Sequence, residues 1–531
     1  MIKNIRIRVL PQVWRDAEQL EAQVCRELSI SRKELWGLRT KHTSIDARQR
    51  QVMVQLDLDL YINEAPPQQT FRPVDYRELP SDAPQAVVVG AGPGGLFSAL
   101  RLIERGIRPI LLERGRNVHD RRRDVALITR EQRVDPNSNY CFGEGGAGAF
   151  SDGKLFTRSK KRGNVQGVLE GLCQFGADTG ILDASHPHIG TEKLPAIIAG
   201  IRERILACGG EIHFETIVSE LMLDAGKVVG VRSSDGREFL GPVILAAGHS
   251  ARDIYRMLFD KGIPIESKGL AIGCRLEHPQ SLIDRIQYHS KEGRGDYLPA
   301  AEYSFVTQAD GRGVYSFCMC PGGVIVPSAT RSEEVVVNGM SASSRGGRWA
   351  NAAMVTEIRV EDIPLLASQL HLDIDPASPL AMMAIQEEIE HQCWLNGGRS
   401  QVAPAQRMTD FVGSRLSADL PASSYSPGVV ASPLHFWLPR FISARLQEGL
   451  QAFGKKAHGF LTNEALLVGT ETRTSSPVRI PRDRETLCHP TIGGLYPCGE
   501  GAGYAGGIVS SAMDGQRCAD ALAAQCFGFN C

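Results

Sequence analysis

The sequence predicts an α/β fold: a doubly wound domain with a parallel sheet, split by an inserted α+β domain and preceded by a small α+β module. Three observations carry this reading. An apolar strand, a glycine-rich turn, a helix and a second strand follow one another over residues 86–113. A strand and glycine-rich turn leading into a helix of small residues occupy residues 493–524. No further unit of this kind lies between them.

Ala86 to Val89 is a continuous apolar run, the mark of a parallel strand buried on both faces. Gly90, Gly92 and Gly95 then form G-x-G-x-x-G, with Pro93 and Gly94 inside it. Gly90 suits the tight turn, Gly92 lets the backbone approach a pyrophosphate, and Gly95 lets the helix pack close to the strand. The helix start offers free N–H groups and the positive end of its dipole to phosphate. The second strand, Pro109 to Leu112, ends at Glu113, 23 positions after Gly90, and Arg114 follows. An acid at that distance suits a ribose hydroxyl, so FAD or NAD is favoured over NADP.

The other end of the chain separates these two. Leu495 to Cys498 runs into Gly499-Glu500, then a turn through Gly506, Gly507 and Ile508 into a helix reaching about Ala524. This resembles the second FAD motif of glutathione-reductase-like flavoproteins. The resemblance implies that Glu500, where the superfamily more often has Asp, binds the ribityl chain. It also implies that the helix points its N-terminus at the flavin ring, where negative charge develops on reduction. Between the two motifs, Val243 to Ala246 is an apolar strand ending in Ala247-Gly248. It is similar to the Ala-Thr-Gly strand of the same superfamily, with Ala247 replacing Thr. A helix over 192–208 and short strands near 211–214, 217–223 and 227–233 precede it, as in the middle of that FAD domain. Three motifs in order imply FAD as the tightly held cofactor.

A chain of 531 residues exceeds one ordinary domain, and its net charge of −1 with 42% apolar residues fits a globular protein. The near-neutral charge disfavours a nucleic-acid partner. No apolar stretch reaches the roughly 18 residues of a membrane span. Nothing resembles an export signal, so the thirteen cysteines read as reduced thiols of a cytoplasmic protein.

Residues 1–63 read as an α+β module, with a ferredoxin-like arrangement as the nearest pattern: a strand through Val9, a helix over 13–28 and an alternating strand over 51–62. Pro66, Pro67, Pro73, Pro80 and Pro84 make 64–83 an extended, semi-rigid linker. The FAD-binding Rossmann-like domain spans 84–250 and is completed by 484–531, and an inserted α+β substrate domain spans 251–483. No second G-x-G-x-x-G opens a helix, so NADH or NADPH enters, if at all, as a transient electron donor.

Further motifs extend the resemblance to the whole chain. They are Ser44 to Arg48, Gly143 to Gly148, Pro187 to Thr191, Cys318 to Gly323, Asn338 to Ser341, Ala403 to Arg407 and Glu471 to Pro477. Together they resemble the bacterial FAD-dependent dehydrogenases generally described as uncharacterised, a single-dinucleotide-domain branch of the superfamily. The resemblance implies an FAD-dependent oxidoreductase, and the expected reaction moves a hydride, or an electron pair, between flavin N5 and a small-molecule substrate. It names neither that substrate nor a protein partner of the N-terminal module.

Gly145, Gly146 and Gly148 belong to a loop open enough to reach the flavin edge. Lys154 just beyond is a candidate to neutralise a reduced flavin or bind substrate. His186 and His188 stand two apart without an evident third metal ligand, so no metal is expected, and His188 remains a candidate acid or base. His249 follows the Ala-Gly strand near the expected cofactor. Cys318 and Cys320 fall on one face of a regular strand, with Tyr315 and Met319 on the other, as packing thiols rather than a redox pair. Arg407 and Arg473 sit in loop-like stretches, so an anionic substrate held by one of their guanidinium groups is expected. Two rival readings stay open: an RNA-modifying flavoenzyme, resting on the N-terminal module and Arg121-Arg122-Arg123, and a non-catalytic flavin-binding sensor or assembly protein.

Overall fold

The computed structural model describes residues 1–49, 51–66, 71–157, 163–184 and 186–529. Linker residue Pro67 lies outside the described residues. The strand Gln85–Val89 takes the centre of a five-stranded parallel sheet with the strands Arg108–Leu112, Glu211–His213, Val243–Leu245 and Leu495–Pro497. Its apolar run is buried on both faces. Ala86 and Val88 join a core with the helices Pro93–Glu104, Val165–Gln174, Leu194–Ala207 and Ile508–Phe527. Val87 and Val89 join a second core with the antiparallel strands between Val218 and Leu240 and with the helix Arg252–Asp260. Gly95 sets the helix against the strand: a Cβ there would meet the Gly90 carbonyl oxygen at 1.8 Å.

Between Leu245 and Leu495 the chain builds an eight-stranded sheet, antiparallel except for one parallel pair. Helices Ile363–Gln369, Ala381–Asn396 and Arg440–Lys456 cover one face, where Ile385, Leu446 and Phe453 are fully buried. The opposite face, from the strands Arg312–Pro327 and Val337–Met340, turns towards the parallel sheet's C-terminal end.

The N-terminal module departs from the ferredoxin-like pattern. It is a three-stranded antiparallel sheet, with Met53–Ile62 between Ile2–Val9 and Leu35–Asp46. The strand Leu35–Asp46 has too many polar residues to register as apolar alternation, and it completes the sheet without a second βαβ unit. The Ser44 to Arg48 segment forms the hairpin end, where Ile45 and Ala47 pack on the inserted domain's core. The linker stretch 71–83 lies against the parallel-sheet domain through Phe71, Tyr76 and Leu79.

His278, on the inserted strand Leu270–Pro279, is fully buried, and its Nε2 donates to the Phe460 carbonyl at 2.8 Å. Burial pulls its pKa down from 6.5 to about 4, and the Phe460 carbonyl offsets only part of this. Between about pH 6.5 and 4 the unfolded chain therefore binds a proton that the folded chain refuses, so this histidine makes stability fall as pH falls through that window. His278→Gln should flatten that part of the profile, read as urea midpoints at pH 7, 5 and 4. An unchanged slope would show that the ring is not held neutral.

Candidate functional site

A cavity of about 450 Å³ opens where the parallel sheet's C-terminal end faces the inserted sheet. Ligands gather at this end of open α/β sheets because the loops and helix N-termini meet there. Of the residues singled out above, Gly90, Gly92, Pro93, Gly94, Glu113, Arg114, Gly146, Gly148, Ala247, Gly248, Gly499, Glu500, Gly506, Gly507 and Ile508 line it. Gly95 and Gly145 stand behind the wall. Gly145, at φ +82°, donates its N–H to the Ala91 carbonyl, and a Cβ there would meet Ile198 at 2.4 Å.

The wall is built to leave room. A Cβ on Gly92 would meet only the Gly146 Cα, at 3.9 Å, and on Gly248, Gly506 or Gly507 it would meet nothing within 4 Å. The helices Pro93–Glu104 and Ile508–Phe527 start at Gly92 and Gly507, and neither has a side-chain cap. Two helix N-termini thus bring uncapped N–H groups to one cavity, an anion-binding arrangement.

Glu113 has a structural duty beyond the one assigned from sequence. It is buried and accepts from the backbone N–H groups of Ala91, Gly115 and Gly143 at 2.8, 2.9 and 3.0 Å. It thereby ties the first glycine turn to the Gly143–Gly148 loop. Arg114 forks onto Asp253 at 2.8 and 3.0 Å, 4.3 Å over the Phe142 ring. His249 Nδ1 lies 3.3 Å from Glu500, and both residues line the cavity.

Arg121 overturns part of the case for RNA. It is fully buried and donates to the carbonyls of Asn139, Tyr140, Gly143 and Glu144. Burial pulls its guanidinium down to about 10. It fastens the glycine loop and is closed to a polyanion.

The expected anion site also needs correction. Arg407 does not line the cavity: it pairs with Asp419 at 2.9 Å and donates to the Asn463 carbonyl. Arg473 does line the cavity, but its guanidinium is spent on the protein. It reaches Glu334 at 2.6 Å, Glu390 at 2.9 Å, and the Ser250, Ser328 and Thr330 oxygens. Arg252 closes the same network on Glu390 at 2.8 Å. Burial pushes Glu390 up, and Arg252 and Arg473 outweigh it, leaving that carboxylate far below the usual range. His188 lies outside the lining, its Nε2 3.4 Å from the Ser343 carbonyl; burial, then Arg345, pull its pKa down. His186 rests on the Phe156 ring.

Lys154 does line the cavity. Its Nζ donates to the Met319 carbonyl and lies 3.5 Å from Asp152 and 3.8 Å from Cys320 Sγ. Burial lowers its pKa, but Cys320, Cys318 and Asp152 outweigh burial, so the group stays an ammonium. The expected common face for Cys318 and Cys320 is broken. Pairing with the neighbouring strand skips from Phe317 to Cys320, and Cys318 turns to φ +49°. Cys318 is exposed and lines the cavity, whereas Cys320 is fully buried.

Sequence reasoning missed Arg275, Asn351, Asp152 and the Glu334–Glu390 network. Arg275 had a readable signal, a single arginine in the apolar run Leu270 to Leu276. The cluster Cys498, Asp514 and Cys518 falls within metal-binding distances, but Arg482 already forks onto Asp514 at 2.6 and 2.9 Å.

Residues 269–474 match the family described as FAD-dependent protein, C-terminal domain-like, and residues 1–61 match a domain of unknown function (DUF8436). A protein of Clostridium beijerinckii described as uncharacterized is 36% identical over 523 residues, covering 95% of this chain and 96% of its own. A solved geranylgeranyl bacteriochlorophyll reductase-like protein from Thermoplasma acidophilum is 12% identical over 83% of this chain and 79% of its own, with TM-score 0.33. NikD, an unusual amino acid oxidase, is 11% identical over 83% and 94%, with TM-score 0.32. Neither structural likeness is close enough to bear on chemistry.

The arginine assignments make opposite forecasts. Arg473→Ala leaves buried carboxylates underpaired and should cost about 3 kcal/mol or more. Arg407→Ala should cost about 1 kcal/mol or less. Urea unfolding of both variants measures the difference, and equal costs would contradict this reading.

Proposed function

We propose that this chain, which belongs to the same family as the Clostridium beijerinckii protein, is an FAD-dependent oxidoreductase that acts on a small organic molecule in the cavity between its two large domains. One observation carries the proposal: the glycine turn, Glu113, the Ala247-Gly248 turn and the C-terminal glycine turn all open into one cavity, with two uncapped helix starts. The match of residues 269–474 to an FAD-dependent protein domain supports it independently.

The residues present fit the cofactor. Gly92 and Gly507 leave the space that a pyrophosphate and a flavin ring require, and the helix N–H groups supply donors. Bound FAD supplies two-electron chemistry at its flavin ring. The chain's own part is to hold, orient and shield. Glu113, through its three amide contacts, keeps the first turn and the Gly143–Gly148 loop in register. Lys154 keeps its proton and places one fixed cation at the inserted-domain side. Phe156 and Phe317 line the same cavity as apolar walls. Pyridine nucleotide, with no second glycine-turn unit in the sequence, is a transient donor at most, and flavin reduction by NADH or NADPH should be slow.

Two glycines three positions apart test the reading. Gly92→Val has room for its Cβ and should fold with a melting temperature near that of the flavin-stripped parent, yet fail to bind flavin. Gly95→Ala drives a methyl into the Gly90 carbonyl and should fail to fold stably. Acid-released flavin per chain, identified by chromatography, gives the readout. The parent should carry one FAD, and a Gly92→Val protein with full FAD content would contradict the assignment.

A further inference from the structure

Cys318 occupies a place that neither packing nor cofactor binding explains. The strand Arg312–Pro327 bulges there, with Cys318 and Met319 opposite one partner residue, Ala352. A non-glycine residue at φ +49° is strained, and it persists only where its surroundings fix it. Two cations do so, one from each large domain. Arg275 Nη2 donates to the Cys318 carbonyl at 2.8 Å, and Lys154 Nζ donates to the Met319 carbonyl. Arg275 is itself fully buried, held by Glu471 at 3.0 Å and Asn351 at 2.8 Å. A Cβ on Gly339 would meet Arg275 at 2.0 Å, so glycine is required there to admit this support. Bulges re-aim side chains beside active sites. This one turns Cys320 Sγ inward, 3.3 Å from Arg275, and leaves Cys318 open to the cavity.

A second observation points to a ligand at the same end. Asp152 is 3% exposed, lines the cavity, and its Oδ1 has no hydrogen-bond partner among the described residues. A buried acceptor left unmatched costs about 1–3 kcal/mol, and since Oδ2 already faces Lys154 and Arg345, each at 3.5 Å, a turn of this carboxylate would bring Oδ1 to a donor on a bound molecule.

We propose that Cys318 is a catalytic thiol, exchanging a proton with the substrate atom beside the carbon that exchanges a hydride with the flavin. This rests on the FAD reading above. The substrate class is a polarised double bond and its reduced counterpart. In the reducing direction the Sγ proton goes to the substrate atom, the electron pair arrives as hydride from reduced flavin, and water restores the thiol. The oxidising direction reverses each transfer. The titratable and charged groups facing Cys318 are Lys154, Arg275, Cys320 and Glu471, with Asp152 behind Lys154. The protein wall around the cavity mouth limits solvation of the thiol and lifts it above its ordinary value, Lys154 and Arg275 pull it back, and Cys320 and Glu471 push it up. Lys154 and Arg275 are the two cations placed to steady the thiolate that a transfer leaves.

The test uses the purified holoprotein, iodoacetamide and peptide mass mapping from pH 6 to 10, with visible spectra of the same samples. Only a thiolate alkylates quickly. Cys318 should be labelled about ten-fold faster than the buried cysteines, with a rate that rises with pH. Lys154→Met should slow that labelling about ten-fold at pH 8. The parent should gain long-wavelength absorbance as a thiolate forms beside oxidised flavin, and Cys318→Ser should retain its flavin and lack that band. Bound flavin with an unlabelled Cys318, or with identical parent and Cys318→Ser spectra, overturns this proposal and leaves the FAD reading standing. A colourless parent protein overturns both.

Discussion

Irregular backbone pinned by buried charge is the constraint on which the rest of the structure depends. The cavity is walled by loops and one bulge, and their peptide groups cannot all pair with one another. An unmatched buried peptide group costs as much as a lost hydrogen bond. Four acidic or basic side chains meet the need. Glu113 takes three N–H groups, Arg121 serves four carbonyls, Arg275 holds the Cys318 carbonyl, and Arg473 reaches the Ser328 carbonyl. Each is nearly or wholly buried. A buried charge is tolerable only when paired and hydrogen-bonded. Arg275 with Glu471, and Arg473 and Arg252 with Glu334 and Glu390, meet that condition.

Charged side chains also join the two large sheets. Arg252, on a helix whose apolar residues pack with the parallel sheet, reaches Glu390 in the middle of the helix Ala381–Asn396. Lys154 crosses to the Met319 carbonyl, and Arg345 crosses back to Asp152 at 3.5 Å. Such contacts are directional, so they fix how the domains meet as well as that they meet. Contacts that hold the cavity walls in place lower the ordering cost of binding. Among the described residues no helix is long and apolar enough to cross a membrane.

Much of the parallel-sheet domain was legible because its signals are local. Ala86 to Val89, the three glycines and Glu113 fall within one short segment, and each reflects a steric or hydrogen-bonding demand of that segment. The meander strand 227–233 was readable because glycine turns bracket it. The strand Leu35–Asp46 is hidden in the sequence because most of its positions are polar and only partly buried. At the site, the sequence does not reveal the roles of Arg407 and Arg473. Loop context marked both as ligand contacts, yet Arg473's partner Glu390 is 83 residues away. Only the fold reveals that this arginine is already satisfied. The bulge at Cys318 was invisible for a similar reason: a period of two assumes an unbroken strand, and the force that breaks it comes from Arg275 and Lys154 on other elements.

The central claim is that one cavity holds FAD with its ring end against the inserted domain's bulge. A crystal structure of the protein grown with FAD tests it most directly. The account predicts pyrophosphate density at Gly92 and ring density between the Gly146–Gly148 loop and Cys318, with Lys154 in contact range. Density for FAD elsewhere, or a ring pointing away from Phe317 and Cys318 into solvent, would contradict it.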